Sequence, residues 1–288
     1  MDLGIGLPNT VPGTTGNQLT DWARAAEEAG FSSLGTIDRI VFPNYEPVVA
    51  LSAAAAVTER IKLVTDVMLG PLRMNPAMVA KQFLSLDALA GGDRAVLGIG
   101  VGGREDDYEI SGLPMSGRGE WLDSALERIR AIWNGDGELE SKVGPRPEGD
   151  GPTLLVGGHV QASLERAARF GDGWTQGGAG PDQFAKDAAK LDEAWKQQGR
   201  KGQPYKMALA YFSLGDDAQK NAEHDLLDYY AWLGEETAKM IVDGAAKDAD
   251  TVKQYMSAFE SAGCDELVLF PCSSDPEQVT LLADAAGL

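Results

Sequence analysis

Eight times along this 288-residue chain a short β-rich run gives way to a helical stretch, and the break between them repeatedly carries Gly, Pro, Asp or Arg. The β-rich runs span residues 3–7, 33–36, 62–69, 94–100, 153–156, 173–176, 206–214 and 266–270. Helical patterns follow at 18–29, 47–57, 77–89, 120–133, 162–170, 181–198, 218–262 in pieces, and 276–286. Alternating strand and helix over short connections favours a parallel sheet with its helices outside. Eight such units at this length predict closure into one (β/α)8 barrel, a TIM barrel of the α/β class, spanning residues 1–288 as a single domain.

No Pro/Gly/Ser-rich linker divides the chain, and residues 135–151, which hold two of its 14 prolines, read as the connection from the fourth helix to the fifth strand. The N-terminus lacks the basic, apolar and small-residue order of a signal peptide, and no apolar run is long enough to cross a bilayer, so a cytoplasmic location is expected. Cys264 and Cys272 flank the last strand, which suits a reducing compartment without a disulfide framework. A catalytic thiol at Cys272 lacks a histidine nearby in sequence, since His159 and His224 are both distant. With 44 acidic against 25 basic residues the formal charge is −19, which opposes binding to nucleic acid phosphates or anionic lipid and otherwise serves solubility.

In such a barrel the site is built from the loops after the strands. Those loops offer Asn9 and Thr10, then Asp38 and Arg39, then Gly70 to Arg73, then Gly102, Gly103, Arg104, Glu105 and Asp106. The later strands deliver Gly157, Gly158 and His159, then Gly177 and Gly178, and finally Pro271, Cys272 and Ser273. The run from Leu154 to Leu164 takes an apolar strand through Gly157 and Gly158 directly into a helix, whose free N–H groups make an anion site to which His159 and Ser163 add donors. A tight turn without a ligand serves the same glycines equally well, and Trp174, Gln176, Gly177 and Gly178 beside it tilt the balance slightly towards a phosphate.

Gly98-Ile99-Gly100-Val101-Gly102-Gly103 satisfies the G-x-G-x-x-G dinucleotide pattern but is read as a false match. That pattern needs a helix opening at once on the pyrophosphate, whereas Arg104, Glu105, Asp106, Asp107 and Glu109 follow here, and the acids repel it. These glycines either let a ring lie flat on strand four or serve barrel packing. Two histidines without H-x-H or H-E-x-x-H spacing argue against a histidine-rich metal centre, and no metal site is assigned; Asp38, Asp66 and Glu105 at strand ends are not distinguished from ordinary rim charges. No G-x-S-x-G is present for serine nucleophile chemistry.

Several tracts in order resemble the luciferase-like monooxygenase family of flavin and deazaflavin barrels related to bacterial luciferase. They are Glu27-Glu28-Ala29-Gly30-Phe31, the run from Ala54 to Leu63, Pro71-Leu72-Arg73-Met74-Asn75-Pro76, Ala80-Lys81-Gln82, the run from Leu86 to Gly92, Leu97 to Gly102, Val156-Gly157-Gly158, and Ala167 to Trp174. The resemblance covers most of the chain. It implies that the cofactor phosphate sits on Gly157, Gly158, His159 and Ser163, with Gly102 and Gly177 flanking the cofactor. It also implies a ring resting against a bulge at the end of strand three, with a non-proline cis peptide between Asp66 and Val67.

One departure bears on mechanism. Many F420-using relatives carry Asp-His after strand two, whereas this chain has Asp38-Arg39, and a guanidinium is no general acid or base near neutrality. Asp38 and Arg39 are taken as the catalytic pair, Arg39 binding an anionic substrate or a reduced flavin anion, with Arg73, Arg104 and Arg118 as further pocket cations. The expected activity is that of an FMN-using monooxygenase acting on a small organic substrate, with a separate flavin reductase as a possible partner. An F420-dependent reductase or dehydrogenase and a non-catalytic flavin-binding barrel are the alternatives. Tyr229, Tyr230 and Trp232 either cap the site or pack on the barrel. A homodimer is expected through the apolar stretches 53–57 and 78–89, with family resemblance pointing the same way.

Overall fold

The structure, a computed structural model, describes residues 1–146 and 149–288, so Pro147 of the long connection lies outside the described residues. The strands are β1 (Asp2–Gly6), β2 (Ser33–Thr36), β3 (Lys62–Leu69), β4 (Ala95–Gly100), β5 (Thr153–Gly157), β6 (Gly173–Gly177), β7 (Tyr205–Phe212) and β8 (Glu266–Pro271). Each pairs in parallel with its sequence neighbours, and β8 closes on β1 through Leu3 opposite Leu267 and Ile5 opposite Leu269. The (β/α)8 barrel read from the alternation is therefore the fold.

The helices are α1 (Gly16–Ala29), α2 (Pro47–Ala55), α3 (Pro76–Leu89), α4 (Glu105–Ile110), α5 (Arg118–Asn134), α6 (Gln161–Phe170), α7 (Pro181–Gln197), α8 (Ala218–Tyr229), α9 (Glu235–Asp243), α10 (Ala249–Ser261) and α11 (Glu277–Ala286). Their starts are chemically marked. Thr15 and Gln18 form a reciprocal capping box on α1, and Asn75 accepts from the N–H groups of Ala77 and Met78 ahead of α3, where Pro76 fills the first turn. Gly30 ends α1 at φ 95°, a left-handed conformation that favours glycine. The short α4 is an element the sequence reading did not anticipate, and it opens in the loop whose acidic residues had been expected to repel a pyrophosphate.

Strand alternation sorts the side chains into two layers. Leu63, Leu97, Leu154 and Leu267 face the helices, whereas Val64, Val96, Leu155, Leu209 and Val268 face the barrel interior. Phe270 fills that interior because Gly6 and Gly35 lack side chains; a Cβ there would lie 2.4 and 2.6 Å from its ring.

At the end of the barrel away from the β-to-α loops, carboxylates staple the returning chain. Glu27 accepts from the backbone N–H groups of Glu59, Arg60 and Ile61, and the fully buried Asp87 accepts from those of Asp93, Arg94 and Ala95. Arg94 donates in turn to the carbonyls of Thr58, Ile61 and Ala90. Replacing Asp87 by Ala strands three donors, so Asp87→Ala should lower stability by about 3 kcal/mol or more in denaturant titrations, whereas a loss under about 1 kcal/mol would show that water takes over the bonds.

Candidate active site

A cavity of about 720 Å³ opens at the C-terminal ends of the strands, where the barrel gathers its β-to-α loops. Asp38, Arg39, Asp66, Val67, His159 and Gly177 line it, all of them named from the sequence. Gly102, Gly157, Gly158 and Ser163 do not line it.

The β3 wall is built around a register shift between Thr65 and Met68, and the peptide bond between Asp66 and Val67 is cis, as the resemblance implied. The Val67 side chain fills the space that a Cβ on Gly157 or Gly100 would claim, at 2.6 and 3.1 Å, and a Cβ on Gly98 would strike the Thr65 carbonyl oxygen at 2.1 Å. Barrel packing therefore accounts for Gly98, Gly100 and Gly157, and the reading in which strand-four glycines clear a flat face for a ring is not supported. Gly102, at φ 72°, has Leu69 against it, whereas a Cβ on Gly177 or Gly178 would meet nothing within 4 Å.

Arg39 is buried, 7% exposed, and locked in place. Its Nε donates to Asp107 Oδ2 at 2.8 Å, one Nη donates to the Val41 carbonyl at 3.1 Å, and the guanidinium lies 5.5 and 5.8 Å from the Tyr229 and Phe42 ring centres. Asp107, on α4, also accepts from the N–H groups of Ile40 and Val41, so one carboxylate fixes both the cation and its loop. The remaining Nη1 is buried and has no hydrogen-bond partner among the described residues.

Asp38 accepts from the Leu69 N–H at 2.9 Å and from Arg73 at 2.6 Å, leaving Oδ1 unpartnered. Arg73 also bonds Glu46 at 2.8 Å. Burial works against its charge, but the two carboxylates outweigh it and hold the guanidinium's pKa above its ordinary value. Arg73 thus sits behind Asp38 instead of in the cavity. Arg104 does line it, gripping Asp106 and stacking 5.4 Å from the Trp232 ring, while Arg118 belongs to a separate cavity of about 220 Å³ beside Tyr108. Two of the acids that had been expected to repel a phosphate, Asp106 and Asp107, are instead paired with Arg104 and Arg39.

Tyr211, Tyr229, Tyr230 and Trp232 all line the cavity, so the aromatic residues after β7 cap the site. The Tyr211 and Tyr230 hydroxyls lie 2.7 Å apart, and burial, with neighbouring tyrosines, pushes Tyr211 well above an ordinary phenol while burial lifts Tyr230 to about 12. Cys272 is buried, and burial with the nearby Asp225 charge raises its thiol well above its ordinary value, which removes the activated-thiolate reading. Among the described residues no group of three or more His, Cys, Asp or Glu side chains is arranged to hold a metal ion. Sequence reasoning missed Asp107, Tyr211 and Thr175 as site residues, because their partners lie 68, 19 and 109 positions away.

Asp66 accepts from the Thr175 hydroxyl at 2.7 Å, and its buried Oδ2 has no hydrogen-bond partner among the described residues. Burial pushes its pKa up to about 6, against the Thr175 bond and with help from the negative Glu266. A folded-state pKa above the unfolded value means that the native state binds the extra proton. Asp66 therefore contributes stability that is fully present below about pH 4 and lost as pH rises through about 6. Asp66→Asn, which removes that loss, should gain stability relative to the native chain by on the order of 2–3 kcal/mol between those limits and stay level above them. Denaturant titrations at several pH values check this, and parallel stability curves for the two proteins would refute it.

The luciferase-like monooxygenase family matches this chain over residues 1–283. An uncharacterized protein of Mycobacterium tuberculosis is 36% identical over 209 residues, covering 62% of this chain and 71% of that protein. An F420-dependent glucose-6-phosphate dehydrogenase of Nocardia farcinica is 30% identical over 203 residues, covering 60% of this chain but only 56% of its own length. Among solved structures, an F420-dependent secondary alcohol dehydrogenase has a TM-score of 0.83 at 17% identity, covering 99% of this chain and 97% of its own. A monooxygenase from Streptomyces bottropensis scores 0.75 at 21% identity, covering 99% and 98%. At such identities the structures speak for the fold alone, but the match along nearly the whole sequence speaks for descent: this chain belongs to the luciferase-like monooxygenase family.

Proposed function

We propose that this chain is an oxidoreductase that holds an isoalloxazine-type cofactor at the barrel mouth and acts on a small, largely apolar substrate. The observation that carries the reading is the cavity itself, which joins the β3 bulge to the turns after β5 and β6 and contains buried polar atoms without protein partners. Arg39 Nη1, Asp38 Oδ1 and Asp66 Oδ2 suit a heterocycle that carries both donors and acceptors. The phosphate would be held beyond β5, where Gly158 at φ 136° leads into α6 with His159 at the cavity edge.

The bound cofactor would supply two-electron redox chemistry. The chain's own residues bind, orient and exclude water. Arg39, a guanidinium fixed by Asp107, would stabilise negative charge on a reduced ring or a substrate oxygen. Trp232, Leu233, Met240, Ile241 and Phe259 give the opposite wall its apolar character and favour a substrate with little charge.

Coenzyme F420 is the first choice of cofactor, supported by the F420-dependent dehydrogenases among the sequence relatives. FMN, ranked first on the sequence alone, is the second reading, favoured by Arg39 in place of histidine and by a net charge of −19 that repels a polycarboxylate tail. A separate reductase would then deliver reduced flavin. Reconstitution decides between them: the purified chain should retain the deazaflavin absorbance band with F420, and retention of FMN alone would reverse the order. Gly158→Asp adds a charge and a Cβ about 2.5 Å from Ser163 Oγ, and should weaken binding at least tenfold. Unchanged affinity in a folded variant removes the phosphate from that turn. Binding without turnover across reductants and substrates would favour the accessory barrel.

Self-association through α2 and α3 belongs to the same proposal. Most apolar residues there face the barrel, but Val49, Met78 and Leu89 are 64%, 53% and 73% exposed on the outer surface. Light scattering should report about twice the 30.6 kDa chain mass, and a monomer at micromolar concentration would count against the interface.

A further inference from the structure

Three carboxyl groups line the cavity floor and wall deeply enough to be dry, and they are not equivalent. Asp38 is paired with Arg73 and Asp107 with Arg39, whereas Asp66 has no cation partner among the described residues. It reaches from β3 across the barrel interior to Thr175 on β6, so it closes the cavity from below. Oδ1 is occupied as an acceptor from the Thr175 hydroxyl, and Oδ2 is buried, facing no protein donor. A carboxyl in that position is a donor when protonated and an acceptor only when ionised.

We propose that Asp66 carries a proton on Oδ2 and donates it, as a hydrogen bond, to an acceptor atom of the ligand on the cavity floor, so that ligand binding and protonation of Asp66 are linked. The inference rests on the proposed function, since a ring cofactor with carbonyl and ring-nitrogen acceptors is the ligand it names. The surroundings favour the neutral form. From β8, Glu266 adds negative charge, and β4 presents only Gly98 and Gly100. Beyond β2, Asp38 is balanced by Arg73 and Arg39 by Asp107; Tyr211 on β7 stays a neutral phenol, and His159 beyond β5 lies at the cavity edge. Thr175 alone opposes protonation among the groups bonded to Asp66, because its hydroxyl donates to the carboxylate.

The sign follows. A ligand that accepts from Oδ2 binds the protonated protein, so affinity is greatest below the free protein's Asp66 pKa of about 6 and falls as pH rises above it, by up to about tenfold per pH unit. The test is equilibrium titration of the full chain with oxidised F420 and with FMN from about pH 5 to about pH 8, without reductant or substrate. Asp66→Asn, whose amide donates at every pH, serves as the reference in which any titration of the cofactor itself cancels. The native chain should weaken at least tenfold relative to Asp66→Asn over this range. Thr175→Val removes the opposing bond and should move the fall to higher pH with Asp66 still in place. A protonated-carboxyl infrared band near pH 5 that disappears in Asp66→Asn should accompany it.

Parallel binding profiles for the native chain and Asp66→Asn, or an unmoved profile in Thr175→Val, would overturn the role of Asp66 while leaving the cofactor reading intact. Failure of the native chain to bind either cofactor at any pH sinks both.

Discussion

Everything at the mouth of this molecule depends on the pairing of β8 with β1. That pairing removes both sheet edges and, because every strand runs parallel, brings eight C-terminal ends to one rim. Closure is also what makes the interior scarce. Phe270 can enter it only where Gly6 and Gly35 give way, and Val67 only where Gly100 and Gly157 do. The glycines of β1, β2, β4 and β5 are spent on packing, whereas Gly177 and Gly178 leave bare backbone facing open space beside the cavity.

The rim brings charge into that dry setting, and burial forces it into pairs. Arg104 grips Asp106 within its own loop, whereas Arg39 and Arg73 are matched to Asp107 and Asp38, which lie 68 and 35 positions away in other loops. Breaking one such pair would leave a buried ion, at a cost of about 3–5 kcal/mol, so the loops are held against one another by the same groups that shape the cavity. A chain with a formal charge of −19 thereby presents a locally balanced site. What the pairing leaves over, one nitrogen of Arg39 and one oxygen each of Asp38 and Asp66, marks where a ligand has something to satisfy.

The repeating strand–helix alternation was legible because period and turn chemistry are local. The bounds of β2 and β3 coincide with those read from sequence, and the other strands shift at their ends. The rim residues were legible too, since barrel topology assigns them once strands are known. Contact across the barrel was not. Asp107 looked like one more acid in a repelling cluster, yet it holds Arg39 from 68 positions away. Arg73 and Arg118 carry the right chemistry in the right loops but point elsewhere, a matter of rotamer and packing that no spacing encodes. The glycines of β4 carried an ambiguous signal until Val67 could be placed against them.

These pairings also limit how protons can move here. A guanidinium locked by Asp107 stays charged, Asp38 is held by Arg73, and the phenols of Tyr211 and Tyr230 keep their protons far above neutrality. The tyrosine pair can rotate and donate, but it does not ionise to serve as a base. Where a histidine in place of Arg39 would exchange protons near neutral pH, this chain has a permanent cation, so that function must pass to another group or be left to the cofactor and solvent. Among the buried groups of the cavity, Asp66 differs from the rest in having neither a cation to hold it ionised nor a full set of partners, which makes its protonation the point at which the electrostatics of the fold and the chemistry of the site meet.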